Sequence, residues 1–569
     1  MTRCDAKYGL SRRHFIVGAA AAAGSAILVA CGGGNAAPPN APQASAAGGA
    51  TVAAPTTAAA PATKSPAVGG VLTHAQKDPV ASLDPYNPGG TLTAQEIFRH
   101  IYDGLVIFDE NLQPQPNLAE SWTVSTDQTE WTFKLHPGVM FHDGTPLNAA
   151  SVQYHFNRLI DPKGSSAFKG TFGIISEIRT PDDSTVVFKT STPFGPFLNY
   201  MAHAAGGIVS KAAVGKYGQD YPVHPVGAGP YKLQEFLPGD RCVLLRFDQY
   251  WKGRPTLDGI TFKTIPEDGA RAAALEAGEA DTMIPVAVTS VPELKQRKEL
   301  VVESKPIITM LYAGFNLSKP PFDDVKVRQA LSMAVDRKGI IDGILGGYAT
   351  LADSPMGKGT FGYAPSPTYD YDPTKAKALL KDAGWTPGSG GIVQKNGTPM
   401  KFTLWTPQDL YLKDVAIAQA IQAQLKAVGA DVDLKTIEAA NWFTTVQVPV
   451  AQAPYDMFMW SLTPSTGDGY QQLNELTFSD PDPTKPPAHW NLTHYKNPHV
   501  DELIKTAGSL TDQEQRKTAL KEAQGIIMQE APLIFLLSFN FVLGRKAKVQ
   551  GVRLLPTRFV DLREASFTQ

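Results

Sequence analysis

Cysteine is scarce in this chain of 569 residues, which contains three. Cys4 and Cys31 lie in the first 31 residues, so a chain that loses this segment keeps Cys242 alone. A single thiol cannot form an intramolecular disulfide, and the folded part must then draw its stability from its core. Cys242 begins the apolar run Cys242-Val243-Leu244-Leu245, which predicts a buried small hydrophobic side chain and not a nucleophile.

An excess of charge of either sign is also missing. Lys and Arg total 52 against 54 Asp and Glu, which gives a formal net charge of −2. This balance offers no general attraction to nucleic acid or anionic lipid, so we expect no nucleic-acid partner. After Cys31 no stretch approaches the roughly 18 consecutive apolar residues that indicate a membrane-spanning helix, and we predict none there.

Recognisable catalytic motifs are absent as well. The sequence has no His-Glu-x-x-His, no Gly-x-Ser-x-Gly and no Walker phosphate loop. His142-Asp143 has the composition of a catalytic pair, but Gly144 follows it and predicts a turn after a strand. A pair of carboxylates for glycoside cleavage stays open, because such residues need not be adjacent. A secreted hydrolase is the least favoured interpretation, and we predict no enzyme and no cofactor.

The first 31 residues have the pattern of an export signal. Arg12-Arg13 precede an uncharged, Ala-rich stretch from Ile16 to Ala30, which is too short to cross a bilayer. The paired arginines followed by Phe15 resemble the twin-arginine type of signal. Leu28-Val29-Ala30-Cys31 resembles the lipoprotein box, in which the signal is cut before a cysteine that then carries lipid. We predict an extracytoplasmic protein that is lipid-anchored to the cell membrane through Cys31.

A spacer and a folded body follow the signal. Residues 32–69 consist mostly of Ala, Gly, Pro, Thr and Ser without an aromatic side chain, which predicts a disordered linker. The body from residue 70 onward is large enough for two or three lobes. In it, segments with a period of two residues alternate with segments of helical period, and this alternation predicts α/β architecture. Helices are expected at Val325–Leu345, Ala376–Ala383, Ile417–Val428 and Asp512–Glu530, and a buried strand at Leu533–Leu537.

A series of phrases then recurs in an order and spacing typical of one family. It comprises Leu83-Asp84-Pro85, Ile101-Tyr102-Asp103-Gly104-Leu105-Val106, Leu118-Ala119-Glu120-Ser121-Trp122, Phe141-His142-Asp143-Gly144-Thr145-Pro146, Pro225-Val226-Gly227-Ala228-Gly229-Pro230-Tyr231, Tyr250-Trp251-Lys252-Gly253, Val327-Arg328-Gln329-Ala330-Leu331 and Leu379-Leu380-Lys381-Asp382-Ala383-Gly384-Trp385. The set resembles the family 5 extracellular solute-binding proteins of ABC importers, the dipeptide-, oligopeptide- and nickel-binding group. The resemblance covers residues 70–545.

The resemblance implies a two-lobed α/β clamshell of the periplasmic-binding-protein type (type II, cluster C). Lobe I would comprise residues 70–305, with an inserted subdomain at about 97–225. Lobe II would comprise residues 306–532, and residues 533–569 would return to lobe I. The two connections would then fall near Lys305-Pro306 and Ala531-Pro532, and the lobes would close over a solute by hinge bending.

The family's role would be to deliver a solute to the membrane permease of an ABC importer. The leading cargo is a peptide, and the resemblance implies a monomer that performs no chemistry. Oligosaccharide, nickel chelate or haem as cargo stays open, as does a peptide-sensing receptor. Relatives hydrogen-bond the main chain of the peptide and leave its side chains in roomy pockets, so the sequence does not name the cargo.

Candidate ligand contacts also follow from the resemblance. Relatives often place a tryptophan at the cleft and, three residues later, an aspartate that pairs with the peptide amine. Trp460 matches the tryptophan, but Thr463 stands at the aspartate position, and Asp468 is the nearest carboxylate in the following loop. In the zone where dipeptide binders place an arginine for the ligand carboxylate, this chain offers Lys413. Both departures argue against assuming a dipeptide.

The predicted ligand-binding set therefore has six members. We expect Trp460 and Trp405 to form apolar walls, and Asn316 to make a polar contact at the hinge edge. Tyr411 and Asp468 would lie at the rim, and Tyr86 would close the cleft from lobe I. His489, His494 and His499 recur every five residues and raise the possibility of a metal, but this step does not keep them on one helix face. A solvated loop explains them better, and we predict no metal.

Overall fold

The computed structural model describes residues 66–67, 69–89, 92–487 and 489–568. The predicted signal, the lipidation at Cys31 and residues 32–65 of the linker lie outside the described residues. At the end of the predicted linker, Pro66–Ala67 forms a short strand that pairs with Ser566–Thr568. No helix among the described residues is long and apolar enough to cross a membrane.

Helices and strands alternate along the described chain. The helices are α1 Leu92–Ile101, α2 Ala149–Ile160, α3 Lys169–Phe172, α4 Phe197–Met201, α5 Lys211–Tyr217, α6 Asp268–Glu276, α7 Val291–Gln296, α8 Val325–Met333, α9 Arg337–Ile344, α10 Pro373–Asp382, α11 Asp414–Ala427, α12 Ala439–Val446, α13 Gly469–Thr477, α14 Pro498–Ser509 and α15 Gln513–Glu530. The strands are β1 Pro66–Ala67, β2 Val71–Gln76, β3 Val106–Phe108, β4 Pro114–Pro116, β5 Ala119–Val124, β6 Glu130–Leu135, β7 Ile175–Asp182, β8 Thr185–Thr190, β9 Tyr231–Leu237, β10 Arg241–Arg246, β11 Gly259–Thr264, β12 Thr282–Ile284, β13 Leu300–Phe315, β14 Ala349–Leu351, β15 Thr386–Pro387, β16 Val393–Lys395, β17 Thr398–Pro399, β18 Lys401–Gln408, β19 Asp431–Glu438, β20 Met457–Leu462, β21 Leu533–Lys546, β22 Val549–Gln550, β23 Arg553–Leu554, β24 Val560–Asp561 and β25 Ser566–Thr568.

Two long strands connect the two halves of an 11-stranded sheet. Its order is β19-β18-β20-β13-β21-β12-β2-β11-β10-β9, with β14 paired to β21. The first part of β13 pairs with β21 up to Pro306 opposite Asn540, and pairing resumes at Met310 opposite Ser538. The extra residues of β13 at this register shift interrupt the ladder and bend the strand. The second part of β13 pairs on its other side with β20. This interruption lies next to Lys305-Pro306, where the resemblance to the family implies one of the two connections between the lobes.

A smaller sheet lies between α1 and β9 in the sequence. Strands β5, β6, β8 and β7 form an antiparallel sheet of four strands, and α2 packs on it. Asn148 caps α2 by accepting a hydrogen bond from the backbone N–H of Ser151, whose hydroxyl accepts in return from the Asn148 backbone N–H. This capping box satisfies two donors that a helix end otherwise leaves free. The sheet has its own aromatic core around Phe133, Phe156 and Phe188.

The second half of the large sheet has a hydrophobic core on each face. One core includes Leu331, Leu380 and Ile421 from helices α8, α10 and α11. The other includes Trp442, Trp460 and Leu520. Cys242 is buried on β10, as predicted, and burial raises the pKa of its thiol. The sequence thus builds a sheet that is covered on both sides, the arrangement expected of an α/β protein.

Most of the predicted helices are confirmed within a few residues at their ends. Gly384 and Gly429 follow α10 and α11 with φ of 88° and 101°, a left-handed conformation that glycine adopts without strain. The predicted helix Val325–Leu345 is wrong as a single element, since α8 ends at Met333 and α9 begins at Arg337. Asp336 lies between them and accepts a hydrogen bond from the backbone N–H of Gly339, so it caps a new helix.

Candidate functional site

The structure places Thr309 beside Thr463, the residue that stands where the resemblance implies an aspartate. The hydroxyl oxygens of Thr309 and Thr463 are 2.6 Å apart. Thr309 is buried at the register shift of β13, and Thr463 follows the end of β20. One of these hydroxyls therefore donates to the other. Among the described residues, no carboxylate is hydrogen-bonded to either of them.

Trp460 lies at the centre of an aromatic cluster on the second half of the sheet. We define the aromatic cluster as Tyr411, Trp442, Phe443, Trp460 and Trp490. The Trp460 ring stacks on Trp490 at 5.0 Å and on Trp442 at 6.0 Å between ring centroids, and Tyr411 and Phe443 meet it edge-on. Trp460 is only 5% exposed, whereas Phe443 is 40% exposed. Trp460 therefore supports the cluster, and Phe443 presents it to solvent.

Several buried donors around this cluster have no hydrogen-bond partner in the part of the chain that the structure describes. They are the indole N–H groups of Trp405, Trp442 and Trp460 and the hydroxyl of Tyr312. Trp405 is partly buried and packs against the same core. An unpaired buried donor costs about 1–3 kcal/mol, so the region gains from any water or solute that accepts these hydrogen bonds.

Arg558 faces this region from the C-terminal segment, and the sequence analysis missed it. Its guanidinium carbon lies 5.7 Å from the centre of the Phe541 ring, and it interacts electrostatically with Tyr411. Burial lowers the pKa of Arg558, and the charges of Asp78 and Glu96 oppose this shift. Within the described residues its guanidinium makes no hydrogen bond and no ion pair. Its φ of 64° is unusual for a residue other than glycine.

Tyr411 thus contacts the Trp460 ring and also interacts electrostatically with Arg558. Burial raises the pKa of its hydroxyl, so Tyr411 is neutral and donates or accepts hydrogen bonds there. Tyr411, Trp460 and Trp405 are the three predicted contacts that the structure brings to one region. Whether they touch a solute stays a prediction.

Glu475 adds an isolated carboxylate on the same half of the molecule. It lies on α13, where the nearby backbone N–H of Trp490 favours its ionised form. Burial raises its pKa from 4.5 to about 7, because no cation among the described residues pairs with it. Its charge contributes to the raised pKa values of Tyr312 and Tyr470. No local sequence signal marks this residue, since its isolation depends on distant parts of the chain.

Asp468 makes an internal ion pair. Both of its carboxylate oxygens accept hydrogen bonds of 2.8 Å from Nη2 of Arg516, and neither side chain is exposed. One oxygen also accepts from the backbone N–H of Tyr470 and so caps α13. The structure therefore places Asp468 in the interior, with its hydrogen-bonding capacity engaged, and not beside the aromatic cluster.

Asn316 is engaged in a similar way. Its side-chain amide donates to the backbone oxygen of Tyr455 at 3.2 Å, and its carbonyl oxygen accepts from the Ser318 hydroxyl at 2.6 Å. The residue is fully buried at the end of β13. These bonds hold the chain at the edge of the sheet, and the predicted ligand contact of Asn316 is not tested by them.

Tyr86 lies on the first-lobe side and contacts the smaller sheet's domain. Its ring packs under the guanidinium of Arg158 at 4.5 Å, and its hydroxyl accepts a hydrogen bond of 2.5 Å from the backbone N–H of Ser165. Arg158 also forms an ion pair with the buried Asp84. Arg158 and Ser165 thus engage both the ring and the hydroxyl of Tyr86, and its role in closing the cleft stays a prediction.

Each of the three regularly spaced histidines contacts a different residue. His489 contacts Asn474 at 3.3 Å, His494 contacts the Tyr455 hydroxyl at 3.4 Å, and His499 pairs with Glu522 at 3.0 Å. Among the described residues no group of three His, Cys, Asp or Glu side chains has the arrangement of a metal site.

A cavity of about 640 Å³ separates the small sheet's domain from the second half of the large sheet. One wall consists of residues 112–114, Trp131, Gly195, Leu198 and Asn199, and the other consists of residues 359–364 and part of α15. None of the six predicted contacts lines it. We call it the side cavity. Its volume falls in the range of about 300–1,000 Å³ that is common for small-molecule sites.

Comparisons with known proteins agree with this architecture. The sequence profile of the bacterial extracellular solute-binding proteins, family 5 Middle, matches residues 113–484. The chain belongs to this family. The fold class predicted from the sequence, a two-lobed α/β clamshell, is confirmed by the family and by its solved members. The role of a solute-binding subunit of an ABC importer, which acts outside the cytoplasm, follows from the same membership.

Three relatives illustrate the similarity. The glutathione-binding protein GsiB of Pectobacterium atrosepticum is 33% identical over 493 residues, which cover 86% of this chain and 92% of that protein. The structure of HbpA2 from Haemophilus parasuis superposes with a TM-score of 0.77 at 25% identity and covers 88% of this chain and 100% of that one. The oligopeptide-binding protein AppA of Bacillus subtilis, solved with a nonapeptide, gives 0.72 at 26% identity, with 89% and 100% covered.

Proposed function

We propose that this protein captures small peptides with a free carboxylate between Arg558 and the aromatic cluster, and delivers them intact to the permease. The single observation that carries this proposal is the Arg558 guanidinium, which is partly buried over the Phe541 ring and makes no hydrogen bond or ion pair with any described residue. Enclosing a cation without a partner costs several kcal/mol. A carboxylate fits the planar fork of arginine through two parallel hydrogen bonds, which removes this cost.

The peptide class is supported by the relatives. GsiB is named for glutathione, and AppA was solved with a nonapeptide. The aromatic cluster offers broad apolar contact for side chains, with Phe443 at its exposed edge. At the amine end this chain differs from the usual pattern, because the hydroxyl pair of Thr309 and Thr463 replaces a carboxylate. We therefore infer that the free carboxylate of the peptide matters more for affinity than its free amine.

The remaining parts of the proposal concern the setting of the protein. We infer that Cys31 carries a lipid, that residues 32–69 act as a tether, and that the protein works as a monomer without catalysing a reaction. The pattern Leu28-Val29-Ala30-Cys31 supports the anchor. Labelling of growing cells with a fatty-acid analogue tests it: the wild-type chain is expected to take up label, and the Cys31→Ala variant is not.

The cargo is tested by calorimetry with four probes. The full chain in detergent is titrated with Ala-Ala-Ala, with its C-terminal amide, with its N-acetyl form and with maltotriose. We expect binding of the first and third, and a loss of about 10- to 100-fold on amidation, the range expected for a charge-assisted hydrogen bond. Arg558→Met should cause the same loss. The matched control is Arg254→Met, whose side chain is 54% exposed and pairs with Asp248.

Three results would contradict the proposal. Equal affinity for the free and amidated peptides would show that Arg558 does not bind the peptide carboxylate. Binding of maltotriose and of none of the peptides would show that the cargo is an oligosaccharide. Formation of a new product during incubation, detected by mass spectrometry, would make the protein an enzyme.

A further inference from the structure

A contact between distant parts of the chain lies outside the candidate site. Residues 194–199 follow β8 and belong to the core of the small sheet. The backbone N–H of Gly195 donates to the backbone oxygen of Gly508, on α14, at 2.8 Å. The side-chain amide of Asn199 donates to the backbone oxygen of Thr466, just before α13, at 3.2 Å. Two hydrogen bonds thus join the small sheet's domain to the second half of the large sheet.

Two further interactions extend this contact. Gln128, in the turn between β5 and β6, accepts a hydrogen bond of 3.1 Å at its side-chain oxygen from the backbone N–H of Thr511. The rings of Phe194 and Tyr470 meet edge-on at 5.6 Å between centroids. Tyr470 packs against the core of the small sheet and also against the core around Leu520. We call this set of residues the bridging contact; its members are Gln128, residues 194–199, Thr466, Tyr470 and residues 508–511.

Gly195 fits the bridging contact because it has no side chain. A Cβ atom at Gly195 would lie 1.7 Å from the backbone oxygen of Leu510 and 2.9 Å from Cδ of Arg516. Both distances are shorter than the roughly 3.5 Å at which carbon atoms contact their neighbours. Gly195 has no positive φ, so its own backbone conformation does not require glycine. The close approach of the two surfaces is what excludes a larger residue there.

The two sides of the bridging contact are held more firmly than the bonds between them. Nε of Arg516 donates to the backbone oxygen of Ala507 at 2.7 Å, which fixes the end of α14. Asp468 pairs with Arg516 and accepts from the backbone N–H of Tyr470. The hydrogen bonds across the contact have water as an alternative partner once the surfaces separate. Each of them therefore contributes only about 2- to 10-fold to the equilibrium between the joined and the separated state.

We propose that the bridging contact is a latch that forms when the two lobes close on a solute and opens in the unliganded protein. It joins residues that the sequence assigns to lobe I and to lobe II, and neither Arg558 nor the aromatic cluster takes part in it. The latch adds to affinity without touching the solute, because a solute binds only the fraction of molecules that can close. Gly195 is a positioning residue in this mechanism. Residues 106–201, which contain none of the six predicted ligand contacts, thereby gain a part in affinity.

Hydrogen exchange, resolved to single residues by mass spectrometry, tests whether the latch opens. The full chain in detergent is compared with and without saturating Ala-Ala-Ala, a probe whose choice rests on the proposed function. We expect the amides of Gly195 and Thr511 to exchange at least about 10-fold more slowly with the peptide, because their hydrogen bonds then persist. The amide of Phe133, inside the small sheet, should change by less than about 2-fold. Equal exchange in both states, while calorimetry shows binding, would overturn the proposal.

The second experiment uses Gly195→Ala, whose Cβ keeps the two surfaces apart. We expect Ala-Ala-Ala to bind at least about 10-fold more weakly, with the melting temperature of the unliganded chain within about 2 °C of the wild type. The matched control is Gly170→Ala on α3, where a Cβ meets no atom within 4 Å. Gln128→Asn, judged by the same two measurements, removes one hydrogen bond and keeps a residue type that tolerates the φ of 60°. It should weaken binding about 2- to 10-fold.

The remaining outcomes separate the latch from the proposed function. Unchanged binding by Gly195→Ala would overturn the latch. So would a lowered melting temperature of this variant without peptide, because a permanent interface would then have been broken. If Ala-Ala-Ala binds to none of these chains, exchange in the unliganded wild type decides. Fast exchange at Gly195 and Thr511 then contradicts the proposed function alone, and slow exchange contradicts both proposals.

Discussion

Removing the charge of Asp468 should destabilise the protein without the direct loss of a ligand contact. In Asp468→Asn, the amide keeps an oxygen for the backbone N–H of Tyr470 but leaves the Arg516 cation uncompensated. Both side chains are completely buried, and two hydrogen bonds of 2.8 Å join them. Breaking a buried pair from one side costs about 3–5 kcal/mol, because the remaining charge stays in a medium of low polarity.

This free energy corresponds to a measurable shift in melting temperature. With about 2.1 cal/mol/K of unfolding entropy per residue, a body of about 500 residues unfolds with about 1 kcal/mol/K. The Asp468→Asn variant should therefore melt about 3–5 °C lower in scanning calorimetry. The matched control is Asp433→Asn, whose carboxylate is 63% exposed and pairs with Lys435. An exposed pair is worth about 0–1 kcal/mol, so the control should shift the melting temperature by less than about 1 °C.

A second substitution separates the ion pair from other effects of Asp468. Combined with Arg516→Met, the Asn variant no longer holds a buried cation, and part of the lost stability should return. Recovery is incomplete because Nε of Arg516 also donates to the backbone oxygen of Ala507 at 2.7 Å. If Asp468→Asn melts like the wild type but binds peptides poorly, the argument from burial is refuted. Asp468 would then be a rim contact, as the sequence analysis predicts.

Three further predictions follow from the second lobe. Burial raises the pKa of Glu475 to about 7 in the folded protein. The folded protein therefore keeps a proton on this carboxyl group that the unfolded chain loses above about pH 4.5. Stability should thus fall by up to about 3 kcal/mol between pH 5 and 8 in urea titrations, and Glu475→Gln should flatten this profile and melt higher than wild type at pH 8. Trp460→Ala should lower the free energy of unfolding by about 3–5 kcal/mol. Phe443→Ala should leave the melting temperature of the unliganded protein within about 2 °C of the wild type and should weaken peptide binding. If both variants lowered the melting temperature equally, the prediction from their different exposure would be wrong. Thr463→Asp places a carboxylate beside Thr309, so the affinity ratio of free to N-acetylated peptide should rise about 10-fold in calorimetry, and an unchanged ratio would exclude this position from the amine site.

The parts of the fold that the sequence predicts are those with local causes. Helices α10 and α11 end where Gly384 and Gly429 can adopt a positive φ, and such signals lie within a few residues of each helix end. The failure at Val325–Leu345 is also local in origin. Apolar periodicity continues through this region, but Asp336 offers a cap to the backbone and interrupts the helix there. Periodicity alone does not register the cap.

The candidate site depends on contacts between distant parts of the chain. Arg558 meets Tyr411 across nearly 150 positions, and the walls of the side cavity join Trp131 to Thr360. Nothing within a few residues of Arg558 shows that it lacks a partner. The resemblance to a family supplies the order of the lobes, but it transfers only those contacts whose residues match. Here the amine-binding aspartate does not match, since Thr463 takes its place.

Two arginines, Arg516 and Arg558, show what decides the role of a charged side chain. Arg516 is fully buried and Arg558 is partly buried, and the sequence around either does not distinguish them. Arg516 meets Asp468 in three dimensions and becomes part of the framework, so its substitution should act on stability. Arg558 lies over the Phe541 ring and makes no ion pair with any described residue, although Asp78 and Glu96 act on it electrostatically, and a solute carboxylate is the partner that we propose for it. The prediction of a ligand contact therefore moves from the carboxylate nearest in sequence, Asp468, to the cation that the fold leaves without a partner.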